Sequence, residues 1–254
     1  MGVWAIRFFR TALPLLAISV ALVSISFTIF AGVRRNPYLD HNYVFKIDAT
    51  DFAQHEGVPH NEGSTPANSV GLTNYYYVYL WNHCESNSDM KFVYCSKPRF
   101  DYYFNSVRLL KARLKRNARV MIPSGSSSYH KRLQITSYSA LALLVLGMIL
   151  SFSTFVFVVI VTLAGSTAVF TSVLSGVTTL VQILGSGLVT GQYLELNSLI
   201  RDKASYLKVK SEEGLKGFFF LWLSCVFSLV SFISLLLATR FIRKKKETTA
   251  KLYH

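Results

Sequence analysis

Between Arg132 and Glu195 the chain runs for 62 residues without a single Asp, Glu, Lys or Arg. Crossing the hydrocarbon of a bilayer takes about 20 helical residues, so this stretch accommodates two spans and a tight connection. A soluble chain of 254 residues would distribute its apolar side chains in short periodic groups around a core. Here they are pooled, and the pooling identifies an integral membrane protein.

Two further apolar blocks flank the central one. Thr11 to Val33 follows Arg7 and Arg10, and Gly217 to Thr239 precedes the basic run RFIRKKK. The first could be a cleaved signal peptide, because Ala31-Gly32 places small residues near its end. Its 23 apolar residues exceed the about 7–15 of a signal core, however, and a retained span is the better reading. The expected spans are 11–33, 138–161, 167–191 and 217–239, with the central break at Gly165-Ser166.

Basic residues number 14 in the 34–137 loop and six in the short C-terminal tail. The positive-inside rule applies to loops shorter than about 60 residues, whereas long domains translocate largely regardless of charge. The tail therefore decides the orientation. Residues 240–254 and 1–10 are expected in the cytoplasm with the turn at 162–166, and the loops 34–137 and 192–216 outside. Arg243, Lys244, Lys245 and Lys246 can attract anionic inner-leaflet lipid at about 1 kcal/mol each; they also serve as an ordinary stop-transfer cluster.

Of three cysteines, Cys225 lies in a span and Cys84 and Cys95 lie in the large loop. Outside the cell such a pair oxidises. The strand formers Tyr75 to Leu80 and Phe92 to Tyr94 around it suggest a hairpin stapled by Cys84–Cys95, with Trp81 packed over the bond. Free or metal-bound thiols are the alternative, disfavoured because no second cysteine pair lies nearby.

Leu80-Trp81-x2-Cys84-x10-Cys95 in the first outer loop of a four-span chain resembles the claudin-like signature Gly-Leu-Trp-x2-Cys with a second Cys eight to ten residues on. The closer likeness is to the fungal Sur/PalI family, carried by the aromatic approach NYYYVYLWNHCE, the start SEEGLKGFFFLW of the fourth span and the basic C-terminal end. Tyr79 stands where the signature has Gly, and no Trp lies between Trp4 and Trp81, which separates the chain from barrier-forming claudins. The resemblance implies an all-α transmembrane four-helix bundle, claudin-like, with a small, partly β, disulfide-stapled extracellular domain. It implies a plasma-membrane protein that organises eisosome-associated microdomains in cortical patches, with roles in endocytosis and the cell wall. Cortical eisosome proteins and sphingolipid-rich lipid are the expected partners. A PalI-type role in ambient-pH signalling is the alternative, and a channel or transporter a weaker one.

The remaining features point to no chemistry. His41, His55, His60 and His83 lack metal-ligand spacing and read as solvated. No nucleophile–base motif, phosphate loop or intramembrane acid pair stands out, so neither an enzyme nor a cofactor or nucleic-acid binder is expected. The spans lack the ionisable side chains that mark ion pathways. They contain small-xxx-small pairs, Ser172/Gly176 and Gly187/Gly191, suited to internal packing or to self-association. Val107, Leu110, Leu114 and Met121 share one helical face, with Arg108, Lys111, Lys115 and Arg119 elsewhere. That segment is expected to pack on its own ectodomain or to meet a lipid surface, wall polymer or neighbouring protein. The stretch PSGSSSYHKR after it reads as a flexible hinge.

Overall fold

The computed structural model describes residues 11–52, 65–69, 71–88, 91–105, 109, 127–164, 169–203 and 208–252, with backbone alone at 66, 88, 127–130, 164, 202–203 and 242–252. The basic amphipathic stretch, apart from Leu109, and His55 and His60 lie outside the described residues. Among the described residues, four helices are long and apolar enough to cross a membrane: α1 (Leu13–Phe30), α3 (Ser127–Ala164), α4 (Val169–Lys203) and α5 (Leu215–Leu252). Helices α3 and α4 end and restart on either side of Gly165-Ser166, and Phe157 meets Phe170 edge-to-face at 5.1 Å across that connection. The expected hinge is partly helical, because α3 already begins at Ser127.

The chain divides into two compact units, to both of which every long helix contributes. The first comprises Met1–Ser26, Ala142–Ser186 and Phe220–His254. Its interior mixes polar side chains with apolar ones such as Ile18, Ile25 and Leu144, and its exterior is apolar. On α4, Val173, Val177, Leu180 and Leu184 are exposed, whereas Thr171, Ser175, Thr178 and Gln182 are buried. This inverts the soluble amphipathic pattern and suits a helix whose outer face meets lipid. Four buried hydroxyls, those of Ser151, Thr154, Thr178 and Thr179, donate to the carbonyl four residues back, Ser151 to Gly147 at 2.7 Å and Thr179 to Ser175 at 2.9 Å. Cross-helix bonds then set the register: Gln182 Nε2 donates to Ser151 Oγ at 2.7 Å, Thr154 and Thr178 meet at 3.1 Å, and Thr179 and Ser228 at 2.9 Å. Cys225, which the sequence places in a span, is buried with its sulfur 3.2 Å from Ser186 Oγ.

The second unit comprises Phe27–Leu141 and Gly187–Phe219. Its described residues form a short helix α2 (Pro66–Ser69) and five strands: β1 (Phe45–Asp48), β2 (Tyr75–Val78), β3 (His83–Ser88), β4 (Lys91–Cys95) and β5 (Lys210–Glu213). They form one antiparallel sheet in the order β4-β3-β2-β1-β5. The expected single hairpin is thus the edge of a larger sheet. The Tyr-rich run is its own strand, and β5 comes from the loop between α4 and α5. Lys46 stands opposite Glu212 across β1 and β5, 3.8 Å from its carboxylate, and lies over the Tyr75 ring at 4.9 Å. Two loops more than a hundred residues apart in sequence therefore share one sheet, which requires them to lie on the same side of a membrane.

Candidate functional site

The site is built on the two hairpins that carry the Trp-x2-Cys-x10-Cys pattern. Cys84 and Cys95 are direct partners across β3 and β4 and are bonded to each other, with Cα atoms 4.0 Å apart. Cys84 belongs to a buried cluster with Ala31, Tyr77 and Tyr79, against which Tyr43, Tyr75, Phe92 and Cys95 pack. Rings meet edge-to-face within it, Tyr77 to Phe92 at 5.3 Å and to Tyr43 at 5.1 Å. The alternation along the aromatic run explains its composition. Tyr75, Tyr77 and Tyr79 serve this cluster, while Tyr76 and Val78 take the opposite face beside Phe45 and Ile47.

Between β2 and β3 the Tyr79 N–H donates to the Asn82 carbonyl at 2.9 Å, which leaves Leu80 and Trp81 as the two residues at a hairpin tip. Such tips usually carry Gly, Asn or Asp and face water. Here Leu80 is buried, lining a small cavity with Phe104, Ala140, Leu141, Val189 and Tyr193. Trp81 is half-buried; its indole N–H donates to the Ile29 carbonyl and its ring meets Phe100 edge-to-face at 4.7 Å. The expectation that Trp81 covers the disulfide is therefore revised: Tyr77 and Phe92 occupy that place, and the indole fastens the hairpin tip to the end of α1.

Asn82 completes the attachment. Its side-chain amide donates to the Gly32 carbonyl at 2.7 Å and to the Ser96 carbonyl at 3.1 Å. The last four carbonyls of a helix lack intrahelical donors, and Trp81 and Asn82 serve the end of α1 and the turn that follows it. Gly32 has φ +76°, the left-handed conformation that glycine adopts without steric cost. A Cβ there would stand 2.5 Å from both Asn82 Oδ1 and the Tyr79 ring. The Tyr79 hydroxyl donates to the Asp40 carbonyl at 2.7 Å, and burial, followed by the nearby Asp40 charge, pushes its pKa well up, so it remains a donor. A second close approach lies at the start of α5: a Cβ on Gly214 would meet the Tyr43 carbonyl oxygen at 1.9 Å.

The other expected positions fall as follows. Gly176 packs against Phe232, whose ring would lie 2.8 Å from an added Cβ, and Ser172 is buried beside it in the sequence pattern. An added Cβ at Gly187 or Gly191 would have nothing within 4 Å, so neither glycine serves packing among the described residues. Arg243 to Lys246 fall in the final turns of α5. His41 Nδ1 lies 3.0 Å from the Pro37 carbonyl. His83 is not solvated: its side chain is 13% exposed, with Nε2 3.5 Å from Glu85 and Nδ1 3.2 Å from Ser96 Oγ. Sequence reasoning passed over Asn82, met Tyr79 only as a strand former and a departure from the signature's Gly, and met Gly32 only as a small residue near the end of a span. The signal available was the placement of Leu-Trp between strand formers, where a water-facing turn would need polar residues.

Comparison with known proteins agrees with this architecture. The sequence model of the SUR7/PalI family matches residues 10–234. The chain is also similar to SUR7 family protein pun1 of Schizosaccharomyces pombe (strain 972 / ATCC 24843), 26% identical over 168 residues. That alignment covers 64% of this chain and 58% of the relative, so the chain spans well under two thirds of that protein's length. With four membrane-spanning helices, the stapled sheet and a family match over almost its whole length, the protein belongs to the SUR7/PalI family.

Proposed function

We propose that this protein is a non-catalytic plasma-membrane organiser, which gathers a cortical microdomain of the eisosome kind and thereby supports endocytosis and cell-wall integrity. Both termini lie in the cytoplasm and the sheet faces outward. The outward orientation is supported by the Cys84–Cys95 bond, since disulfides persist in oxidising compartments, and the shared sheet keeps both loops on one side. Family membership supports the assignment of role. So does the character of the helices, whose outer faces are apolar and whose central 62 residues hold no Asp, Glu, Lys, Arg or His to relay ions or protons.

Three contacts with the surroundings follow from this reading. Arg243, Lys244, Lys245 and Lys246 hold anionic inner-leaflet headgroups, at about 1 kcal/mol each. Gly187 and Gly191 offer a face on which a second copy or another span approaches closely. Sphingolipid-rich lipid and cortical eisosome proteins complete the domain. The test is the position of a fluorescently tagged full chain in living cells. Static cortical patches are expected, and neutralising all four basic residues should reduce enrichment while membrane insertion persists. A uniform, freely diffusing distribution of the unaltered protein would overturn the reading.

A further inference from the structure

One cleft in the sheet-bearing unit plays no part in the attachment just described. It has a volume of about 710 Å³, within the range of about 300–1,000 Å³ typical of small-molecule sites. One wall is the β3–β4 hairpin and the other is the segment from Lys97 to Asn105. The walls are largely aromatic. The His83 ring stacks on Tyr102 with centroids 6.0 Å apart and 21° between planes, and Phe104 meets it edge-on at 6.3 Å. Tyr94 stands 6.5 Å away, nearly half exposed at 46%.

Among the described lining residues the charged groups are of both signs and balanced. Glu85 is 2% exposed and faces His83. At the rim, Arg99 holds Asp101 through two bonds of 2.9 and 3.0 Å, so its charge is already matched. Lys97 lines the same rim. Among the described residues the Tyr102 hydroxyl is buried without a hydrogen-bond partner, and its pKa is raised by that burial and then by the nearby Tyr193 phenol. It offers a protonated donor to whatever lies next to it.

We infer that this cleft binds a neutral glycan, a short run of pyranose units held by its C–H face on Tyr94 and by its hydroxyls on the polar walls. A pyranose presents positively polarised C–H groups on one face, and the negative face of an aromatic ring attracts them. Its hydroxyls donate and accept at once, which matches walls that hold the Asp101 carboxylate beside the Asn105 amide and the Lys97 ammonium. Among the described lining residues, Glu85 and Asp101 offset Lys97 and Arg99, which favours a neutral ligand over an anion or a cation. An added peptide strand would need the free edge of β4, where the Phe92 carbonyl already accepts from Arg35 at 3.2 Å. For the living cell the inference rests on the outward orientation proposed above; the binding itself does not.

The experiment uses the full chain in nanodiscs of zwitterionic phospholipid. Saturation-transfer NMR and calorimetry are run with neutral tetraoses of β-1,3-glucose, N-acetylglucosamine and α-mannose, with a sulfated glucan tetraose, and with a basic peptide. At least one neutral tetraose should bind, and the sulfated form and the peptide should not bind more tightly. Tyr94→Ala should weaken binding by about tenfold or more, whereas Tyr94→Phe, which keeps the ring, should stay within about threefold. Retention of the Cys84–Cys95 bond in each variant certifies the fold. Absence of neutral-glycan binding, a preference for the sulfated probe or the peptide, or indifference to Tyr94→Ala would each overturn the inference. Since the assay uses purified protein, its result stands apart from whether the tagged protein forms cortical patches.

Discussion

The side-chain amide of Asn82 donates to the main-chain carbonyl of Gly32 at 2.7 Å, joining the start of β3 to the turn that ends α1. With the indole of Trp81 on Ile29, it makes the Leu-Trp hairpin tip an attachment point between sheet and helix. Asn82→Ala leaves two carbonyls each short of a donor, those of Gly32 and Ser96. An unmade bond to a buried group costs about 1–3 kcal/mol, so the variant should lose stability in that range. Trp81→Ala should lose less than the about 3–5 kcal/mol of a core Trp, because the ring is only half-buried. Thermal unfolding of detergent-solubilised protein, followed by size-exclusion fluorescence, reads both. A neutral Asn82→Ala would contradict the attachment.

The glycines divide into two classes with opposite expectations. Gly32→Ala and Gly214→Ala place a Cβ inside 2.6 Å of fixed neighbours, and both should reduce the yield of folded protein at the cell surface. Gly187→Ala and Gly191→Ala meet nothing within 4 Å and should leave the folded yield unchanged. If those two positions mediate self-association, crosslinked dimer in native membranes should fall in the double variant; an unchanged dimer fraction would assign the contact elsewhere.

Cys84 and Cys95 are each other's cross-strand partner, and no third cysteine occurs in either loop. Cys84→Ser, Cys95→Ser and the double variant should therefore lose the same stability, about 3 kcal/mol for a loop of this length in the chain-entropy model. A single variant markedly worse than the double would mean that the remaining thiol does damage of its own.

Gln182 is fully buried and bonds Ser151 across the helices, yet its removal should cost little. Hydrogen bonds between transmembrane helices average about 0.6 kcal/mol, and Ser151 keeps its bond to the Gly147 carbonyl. Gln182→Met, which keeps an unbranched chain of similar length beside Gly147, should shift the unfolding temperature less than Cys84→Ser does. A larger shift would mean that the polar seam carries much of the stability of its unit.

Orientation has its own test. A tag at either terminus should be protected from external protease in intact cells, and a tag inserted near Gly63-Ser64 should be digested. Protection of the inserted tag would reverse the assignment of sides.

The distribution of charge along the chain makes the four helices legible, because a bilayer excludes ionisable groups from long runs and nothing else empties 62 residues of them. The stapled hairpin is legible too, from strand formers around two cysteines. The sheet is only half legible. β1 and β5 are four residues each, and their pairing of Lys46 with Glu212 leaves no local signal in either loop. The role of Asn82 is hidden for a related reason: its acceptors, Gly32 and Ser96, are main-chain atoms, and main-chain acceptors have no residue identity to read. Trp81 is conspicuous by type, but its target is the end of a helix fifty residues earlier, and proximity in sequence pointed to the disulfide instead.

The central claim is that two loops on the oxidising side of the membrane fold into one sheet closed by Cys84–Cys95. Its most direct measurement is peptide mass mapping, without reduction, of protein isolated from the plasma membrane after rapid alkylation. The account predicts a single linked species joining the peptides that contain Cys84 and Cys95, and its disappearance on reduction. Recovery of both residues as alkylated free thiols would contradict it.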